Sequence, residues 1–107
     1  MMQLILDQEI YAHDLGKIVC VGRNYAAHAK ELNNPIPKEP ILFIKPASSA
    51  VKATPEFSIP QGQGSVHHEL EIAILIGAPL THASEDQVAD AIAGIGLGLD
   101  LTLRDVQ

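Results

Sequence analysis

The sequence has no tryptophan, two tyrosines and two phenylalanines, so aromatics make up 4% of its 107 residues against 47% hydrophobic residues. Any core is therefore aliphatic, built from Ile, Leu, Val and Ala. There is one cysteine, Cys20, inside the apolar run KIVCVG. A single cysteine excludes a disulfide framework and fits a reducing compartment. Cys20 itself reads as a small buried hydrophobe. Lys and Arg are scarce and unclustered: 7 basic against 13 acidic side chains give a net charge of −6. The footprint of a nucleic-acid binder is missing. A chain this acidic needs a local cation, either Arg/Lys or a metal, to act on an anion. No apolar run approaches the ~18 residues of a membrane span, and MMQLILDQEI has no basic n-region of a signal peptide. The expectation is a cytoplasmic protein with neither nucleic acid nor membrane as partner. The length is that of one domain, at the lower end of what buries a core comfortably.

Strands dominate the pattern. QLIL (3–6) and KIVCVG (17–22) read as short strands separated by polar turn material. RNYAAHAKEL (23–32) reads as a short helix with Asn24 as N-cap. NNPIPKEP (33–40), with three prolines, cannot continue it. ILFIKP (41–46) is a strand that Pro46 ends, and residues 47–65 are irregular with room for a short strand or two. SVHHELEIAILIG (65–77) is a strand stopped by GAP. Ser84 and Gln87 form a capping box opening a helix through about Ile92. GIGLGLDLTLRD (94–105) follows with strict period two. There is no internal repeat and no low-complexity tail.

The strand at 65–77 carries an anomaly. Leu70, Ile72, Ile74 and Ile76 alternate like a buried face, while Glu69 and Glu71 stand together on the other. Positions two apart on a strand are ~6.6–6.8 Å apart, so the two carboxylates can lean to one point. Two bare carboxylates there repel, and one would protonate. A divalent cation removes the conflict. Asp100 offers a third oxygen ligand: in the last strand its same-face neighbours are Gly96 and Gly98, and glycines in a strand mark a close approach. An all-oxygen set indicates a hard ion, Mg²⁺ or Mn²⁺, over zinc or copper. Arg104, on the same face beyond Thr102, is placed to meet an anion. A solvated acidic face and a cation site both remain open on this pattern. His67 and His68 beside the glutamates are not needed as ligands.

His28 and Glu31 form a second constellation, spaced i, i+3 on the short helix. A carboxylate bonded to one imidazole nitrogen orients the other as a general base, although many such pairs are surface pairs. The proline-rich segment after them would suit a mobile lid. GIGLG (94–98) is no dinucleotide loop, because a strand continues where a helix should start. HAKE is no zincin motif, and His13 and His82 fall in polar, solvent-exposed turns.

VGRNYAAHAKEL, PILFIKP, HHELEIAILIG and LDLTLRDVQ, in this order and spacing, together resemble the fumarylacetoacetate hydrolase family, and within it the small acylpyruvase and fumarylpyruvate hydrolase branch. The resemblance implies an α+β, mostly β fold, a mixed β-sandwich/roll with short helices. It implies that Glu69, Glu71 and Asp100 are metal ligands for Mg²⁺ or Mn²⁺. His28 and Glu31 match the catalytic dyad of a lid helix, and Arg104 and Gln107 match residues that hold the substrate's oxo-acid group. The partners implied are a small anionic oxo-acid and a second copy in a homodimer.

The expected reaction is hydrolytic C–C cleavage of a 3-acylpyruvate such as fumarylpyruvate or acetylpyruvate, in aromatic catabolism, with water deprotonated by His28. The alternatives are oxaloacetate decarboxylation, isomerisation of a 2-hydroxy-dienoate, or an inactive metal-binding fragment. The chain ends at DVQ directly after its most regular strand. Residues 1–107 thus read as the N-terminal half of one catalytic domain whose other half should carry a catalytic lysine. The half alone is expected to self-associate or stay partly folded, without activity.

Overall fold

The computed structural model describes residues 2–22 and 39–106, which fall into two compact units, Met1–Lys52 and Ala53–Gln107. The fold is mostly β. Six strands among the described residues pair antiparallel, two by two.

In the first unit, β1 (Ile5–Leu6) and β2 (Glu9–Ile10) form a tight hairpin. The run read as one strand at 3–6 is thus half of a ribbon whose second strand the sequence reading missed. Asp7 and Gln8 occupy the turn with φ of 50° and 71°. Positive φ at both central positions matches the twist of a two-residue hairpin, and neither residue is the glycine that ordinarily signals one. Tyr11 N–H extends the ribbon to Leu4 C=O at 2.8 Å. β3 (Ile18–Gly22) pairs with β4 (Ile41–Lys45), Ile18 opposite Lys45 and Gly22 opposite Ile41. Pro46 ends β4, and Ala47–Ser49 form a single 3-10 turn. No strand forms between 47 and 65, where the sequence left room for one or two. Cys20, expected as a buried hydrophobe, is half-buried.

In the second unit, β5 (Val66–Ile76) leads through a loop to helix α1 (Glu85–Ala91) and back along β6 (Ile92–Leu103). Ser84 Oγ accepts from Gln87 N–H at 3.3 Å, while Gln87 Oε1 accepts from Ser84 N–H at 2.9 Å. The capping box therefore satisfies two donors that a helix start leaves orphaned. Glu85 and Asp86 in the first turn complement the helix dipole. The helix ends one residue earlier than its pattern suggested, because Ile92 is extended and opens β6.

β5 and β6 form a long two-stranded ribbon. Val66 lies opposite Leu103, Leu70 opposite Leu99, Ile72 opposite Leu97 and Ile74 opposite Ile95, with an irregularity between Leu75 and Ile76. The alternation read from both sequences is thus real, but its expected consequence is not. Leu70, Ile72, Ile74 and Ile76 are exposed, as are Ile95, Leu97 and Leu99. Among the described residues the only buried hydrophobic one is Ala91, at 8% exposure.

β6 stops at Leu103, and Arg104–Val106 turn into a 3-10 helix. Arg104 is therefore not on the strand, as period two had placed it. The cause is a clasp at the ribbon's open end. Arg104 N–H donates to Ser65 C=O at 3.2 Å, and Asp105 Oδ2 accepts from Ser65 N–H at 3.1 Å. Gly64, at φ 83°, lies so close that a Cβ there would collide with the Asp105 carboxylate. Only glycine meets both demands.

Substituting Ser84→Ala removes the hydroxyl half of the capping box and keeps the half in which Gln87 Oε1 accepts from the backbone N–H of residue 84. The expected loss is ~1 kcal/mol of helix stability, read as several-fold faster amide exchange at Gln87 and Val88. Unchanged exchange at both would show that the hydroxyl half contributes nothing.

Candidate metal centre

The acidic side of the ribbon follows from pairing register. On β5, His67, Glu69, Glu71 and Ala73 share one face; on β6, Thr102, Asp100, Gly98 and Gly96 lie directly opposite them. Glu69 is thus paired with Asp100, and Glu71 with a glycine. The two glutamates and Asp100 are half-buried, and each offers a carboxylate oxygen within 4.8 Å of the others. Like charges directly opposite in a sheet are destabilising, so facing carboxylates are a place where a cation would be welcome.

A hard divalent cation fits these residues. Oxygens bound at ~2.1 Å to Mg²⁺ sit up to ~4.2 Å from one another, and at ~2.4 Å to Ca²⁺ up to ~4.8 Å. The three carboxylates close on such an ion with shifts below an ångström or so. The donors are all oxygen, which disfavours zinc and copper. The glycines keep the approach open: a Cβ at Gly96 would meet nothing within 4 Å, and one at Gly98 would meet only the Ala73 Cβ, at 3.9 Å. Side chains there would fill the space above the ribbon that ligands and water need.

The other residues singled out by sequence lie apart from this group or outside the described residues. His67 shares the acidic face but is exposed, and neither it nor His68 joins the cluster. Arg104 is half-buried at the start of the 3-10 turn, four residues after Asp100. His28, Glu31 and Gln107, and the helix read at 23–32, lie outside the described residues. His13 is exposed and packs edge-on against Tyr11, with centroids 5.4 Å apart, and His82 is exposed at φ 48°. Sequence reasoning missed the clasp of Gly64, Ser65 and Asp105. Its only signal was GQGS, two glycines just before a strand, with an acidic residue following the arginine far downstream.

A half-buried all-carboxylate cluster on a mostly β scaffold defines a candidate centre of the divalent-metal enzyme type. The family described as "Fumarylacetoacetate (FAA) hydrolase C-terminal" matches residues 17–107, and the chain belongs to the fumarylacetoacetate hydrolase family. Members of this family are enzymes, and they commonly use divalent metals. The chain is 54% identical over 95 residues to the oxaloacetate tautomerase YcgM of Escherichia coli, covering 89% of this chain and 43% of that protein. It is 47% identical over 92 residues to a mitochondrial oxaloacetate decarboxylase of Dictyostelium discoideum, covering 85% of this chain and 42% of that one. A crystal structure from Oleispira antarctica, provisionally described as a fumarylacetoacetate isomerase/hydrolase, is 78% identical and superposes with a TM-score of 0.96, covering all of this chain and 48% of that one. The chain therefore spans less than half the length of the curated relatives it matches. No helix among the described residues is long and apolar enough to cross a membrane.

These relatives correct the expected reaction. Their names are oxaloacetate tautomerase and oxaloacetate decarboxylase, so acylpyruvate hydrolysis, fumarylpyruvate as substrate and a place in aromatic catabolism are not upheld. The physical reason for the error is that all these reactions develop charge on the oxygen of a 2-oxo acid. A carboxylate-held cation would suit each of them and would not by itself select which bond changes.

The ligand assignment is checked by Mn²⁺ titration of this chain, followed by electron paramagnetic resonance. Glu69→Ala, Glu71→Gln and Asp100→Ala are each expected to weaken Mn²⁺ binding at least tenfold, and His67→Ala to leave it within twofold. Undiminished affinity in any of the three carboxylate variants would remove that residue from the set.

Proposed function

We propose that this chain carries the metal-binding part of an oxaloacetate tautomerase that uses Mg²⁺ or Mn²⁺. The observation that carries the reading is the 54% identity with the E. coli oxaloacetate tautomerase. The cluster of Glu69, Glu71 and Asp100 supports it, because interconverting keto and enol forms requires stabilising charge on the oxo oxygen.

The reaction moves one proton. It passes from the carbon between the oxo group and the distal carboxylate to the oxo oxygen, while the double bond shifts from C=O to C=C. When bound, a divalent cation would supply Lewis-acid stabilisation of the charge that develops on the substrate. Glu69, Glu71 and Asp100 would hold it with three negative charges against two positive. The site therefore keeps a net negative charge, and a dianionic substrate needs a further cation. Arg104 supplies it: a guanidinium offers the planar paired donors that fit a carboxylate. Gln107 adds a neutral donor to the same group. His28, oriented by Glu31, takes the proton from carbon and returns it. The rigid β5–β6 pairing keeps the triad from rearranging as charge moves, which is where preorganised electrostatics gain their effect.

Decarboxylation is the second reading, favoured by the Dictyostelium relative's name. It places charge on the same oxygen but breaks the bond to the distal carboxylate instead of a C–H bond. The two reactions therefore differ in product and not in where charge is held.

The test uses this chain completed to the length of its relatives. Enol-to-keto conversion of oxaloacetate is followed by ultraviolet absorbance and pyruvate release by a coupled dehydrogenase assay. Metal-dependent tautomerisation well above pyruvate release is expected. Pyruvate release as fast as tautomerisation would replace the reading by decarboxylation. In the same protein His28→Ala is expected to lower kcat by ~10²–10⁴ with Mn²⁺ affinity within twofold. A fall of less than about threefold would remove His28 as the base, given what a general base contributes.

A further inference from the structure

The open end of the β5–β6 ribbon departs from ladder chemistry at one atom. The register is antiparallel, and Val66 opposite Leu103 puts Ser65 opposite Arg104. Arg104 N–H donates to Ser65 C=O at 3.2 Å, as in a hydrogen-bonded pair. Such a pair exchanges two bonds, so the ladder pattern has Ser65 N–H donating back to Arg104 C=O. It donates instead to Asp105 Oδ2, at 3.1 Å. A side-chain carboxylate stands where the backbone carbonyl of the preceding residue would be.

This exchange decides where Arg104 goes. With Ser65 N–H taken by the carboxylate, Arg104 C=O leaves the ladder and its peptide is able to rotate. β6 accordingly stops at Leu103, and Arg104–Val106 wind into the 3-10 turn. That turn advances ~2.0 Å per residue against ~3.3 Å in a strand, so it keeps the chain after Leu103 near the ribbon's end. Gly64 makes the exchange possible, because a Cβ there would collide with the Asp105 carboxylate. A proline would end a strand without any partner forty residues away. Here a long-range bond ends it at the residue that carries the guanidinium, four positions after Asp100. Arginine is long and rich in rotamers, and fixing its backbone lowers the ordering cost of binding through it.

We propose that Asp105 is a positioning residue for Arg104: by accepting from Ser65 N–H in place of Arg104 C=O, it ends β6 at Leu103 and sets the guanidinium where it meets the substrate's carboxylate. The role rests on Arg104 being the donor to that carboxylate, as read under the proposed function. Without the Asp105 carboxylate, Ser65 N–H turns to Arg104 C=O, the strand gains a residue and the guanidinium swings with it.

The test uses this chain completed to the length of its relatives, with kinetics on oxaloacetate. Asp105→Ala is expected to raise KM about tenfold or more, with kcat within threefold and Mn²⁺ affinity within twofold. Asp105→Asn keeps an oxygen that accepts from Ser65 N–H, and is expected to bring KM back to within threefold of the unsubstituted protein. Gly64→Ala drives the carboxylate off Ser65 with Asp105 still in place, and is expected to raise KM as Asp105→Ala does. Arg104→Ala is expected to raise KM by itself, and adding Asp105→Ala to it to change KM less than twofold, because residues acting as one unit are not additive. The Arg104 Cα chemical shift, which needs no turnover, is expected to move from turn to strand values in Asp105→Ala and to stay in Asp105→Asn. Four results would overturn the proposal: KM unchanged in Asp105→Ala although Arg104→Ala raises it, effects that multiply in the double variant, an unmoved Arg104 shift, or a joint loss of kcat and Mn²⁺ affinity in Asp105→Ala and Gly64→Ala, which would make the clasp merely structural. KM unchanged in Arg104→Ala would remove Arg104 from the substrate and the positioning role with it. Pyruvate release in place of tautomerisation, with the expected KM pattern, would replace the proposed reaction and leave the role of Asp105 standing.

Discussion

The pairing of Glu69 with Asp100 is the constraint on which the rest of the second unit depends. In a β-ribbon the side-chain period is two, so a slip of one residue between β5 and β6 would send Asp100 to the aliphatic face. The carboxylate cluster would vanish and the leucine rungs would lose their partners together. Two features hold the register at the ribbon's ends. At one, Ser65 is gripped by Asp105 and by the backbone of Arg104, with Gly64 making room for the carboxylate. At the other, Gly77 N–H donates to Ala91 C=O at 2.8 Å, and the shift between Leu75 and Ile76 absorbs the entry of the helix.

This arrangement opposes two ordinary preferences of a sheet. Carboxylates face each other across a pair, and large aliphatic side chains face water. Cross-strand pairs contribute only ~0.2–1 kcal/mol each, too little to make an isolated ribbon robust, and whole domains are stable by only ~5–15 kcal/mol. A cation would suit the acidic face, and a second layer would suit the aliphatic one. Because the two faces belong to the same two strands, packing on one side makes the other side rigid. A metal centre built on such a ribbon is preorganised by contacts that never touch the metal.

The same economy explains why the site names the family more readily than the reaction. Tautomerisation, decarboxylation and C–C hydrolysis of 2-oxo acids all place charge on one oxygen, so a bound cation would suit each of them. Selection among them belongs to groups that meet the rest of the substrate. The E. coli and Dictyostelium relatives, both similar over most of this chain, carry different reaction names.

The β5 and β6 strands, the capping box and the grouping of Glu69, Glu71 and Asp100 were legible in the sequence, because period-two alternation and glycine placement are local signals that a ribbon preserves. The β1–β2 hairpin was not, because Asp7 and Gln8 take positive φ without the glycine that announces it. The turn that takes Arg104 off the strand was equally hidden, since its cause, Asp105 on Ser65, spans forty positions. The alternation of Leu70, Ile72 and Ile74 determined that these residues share a face, because side-chain direction follows from the strand itself. Whether that face was covered was decided only by tertiary structure, because burial depends on what a second layer supplies and no local pattern encodes its presence.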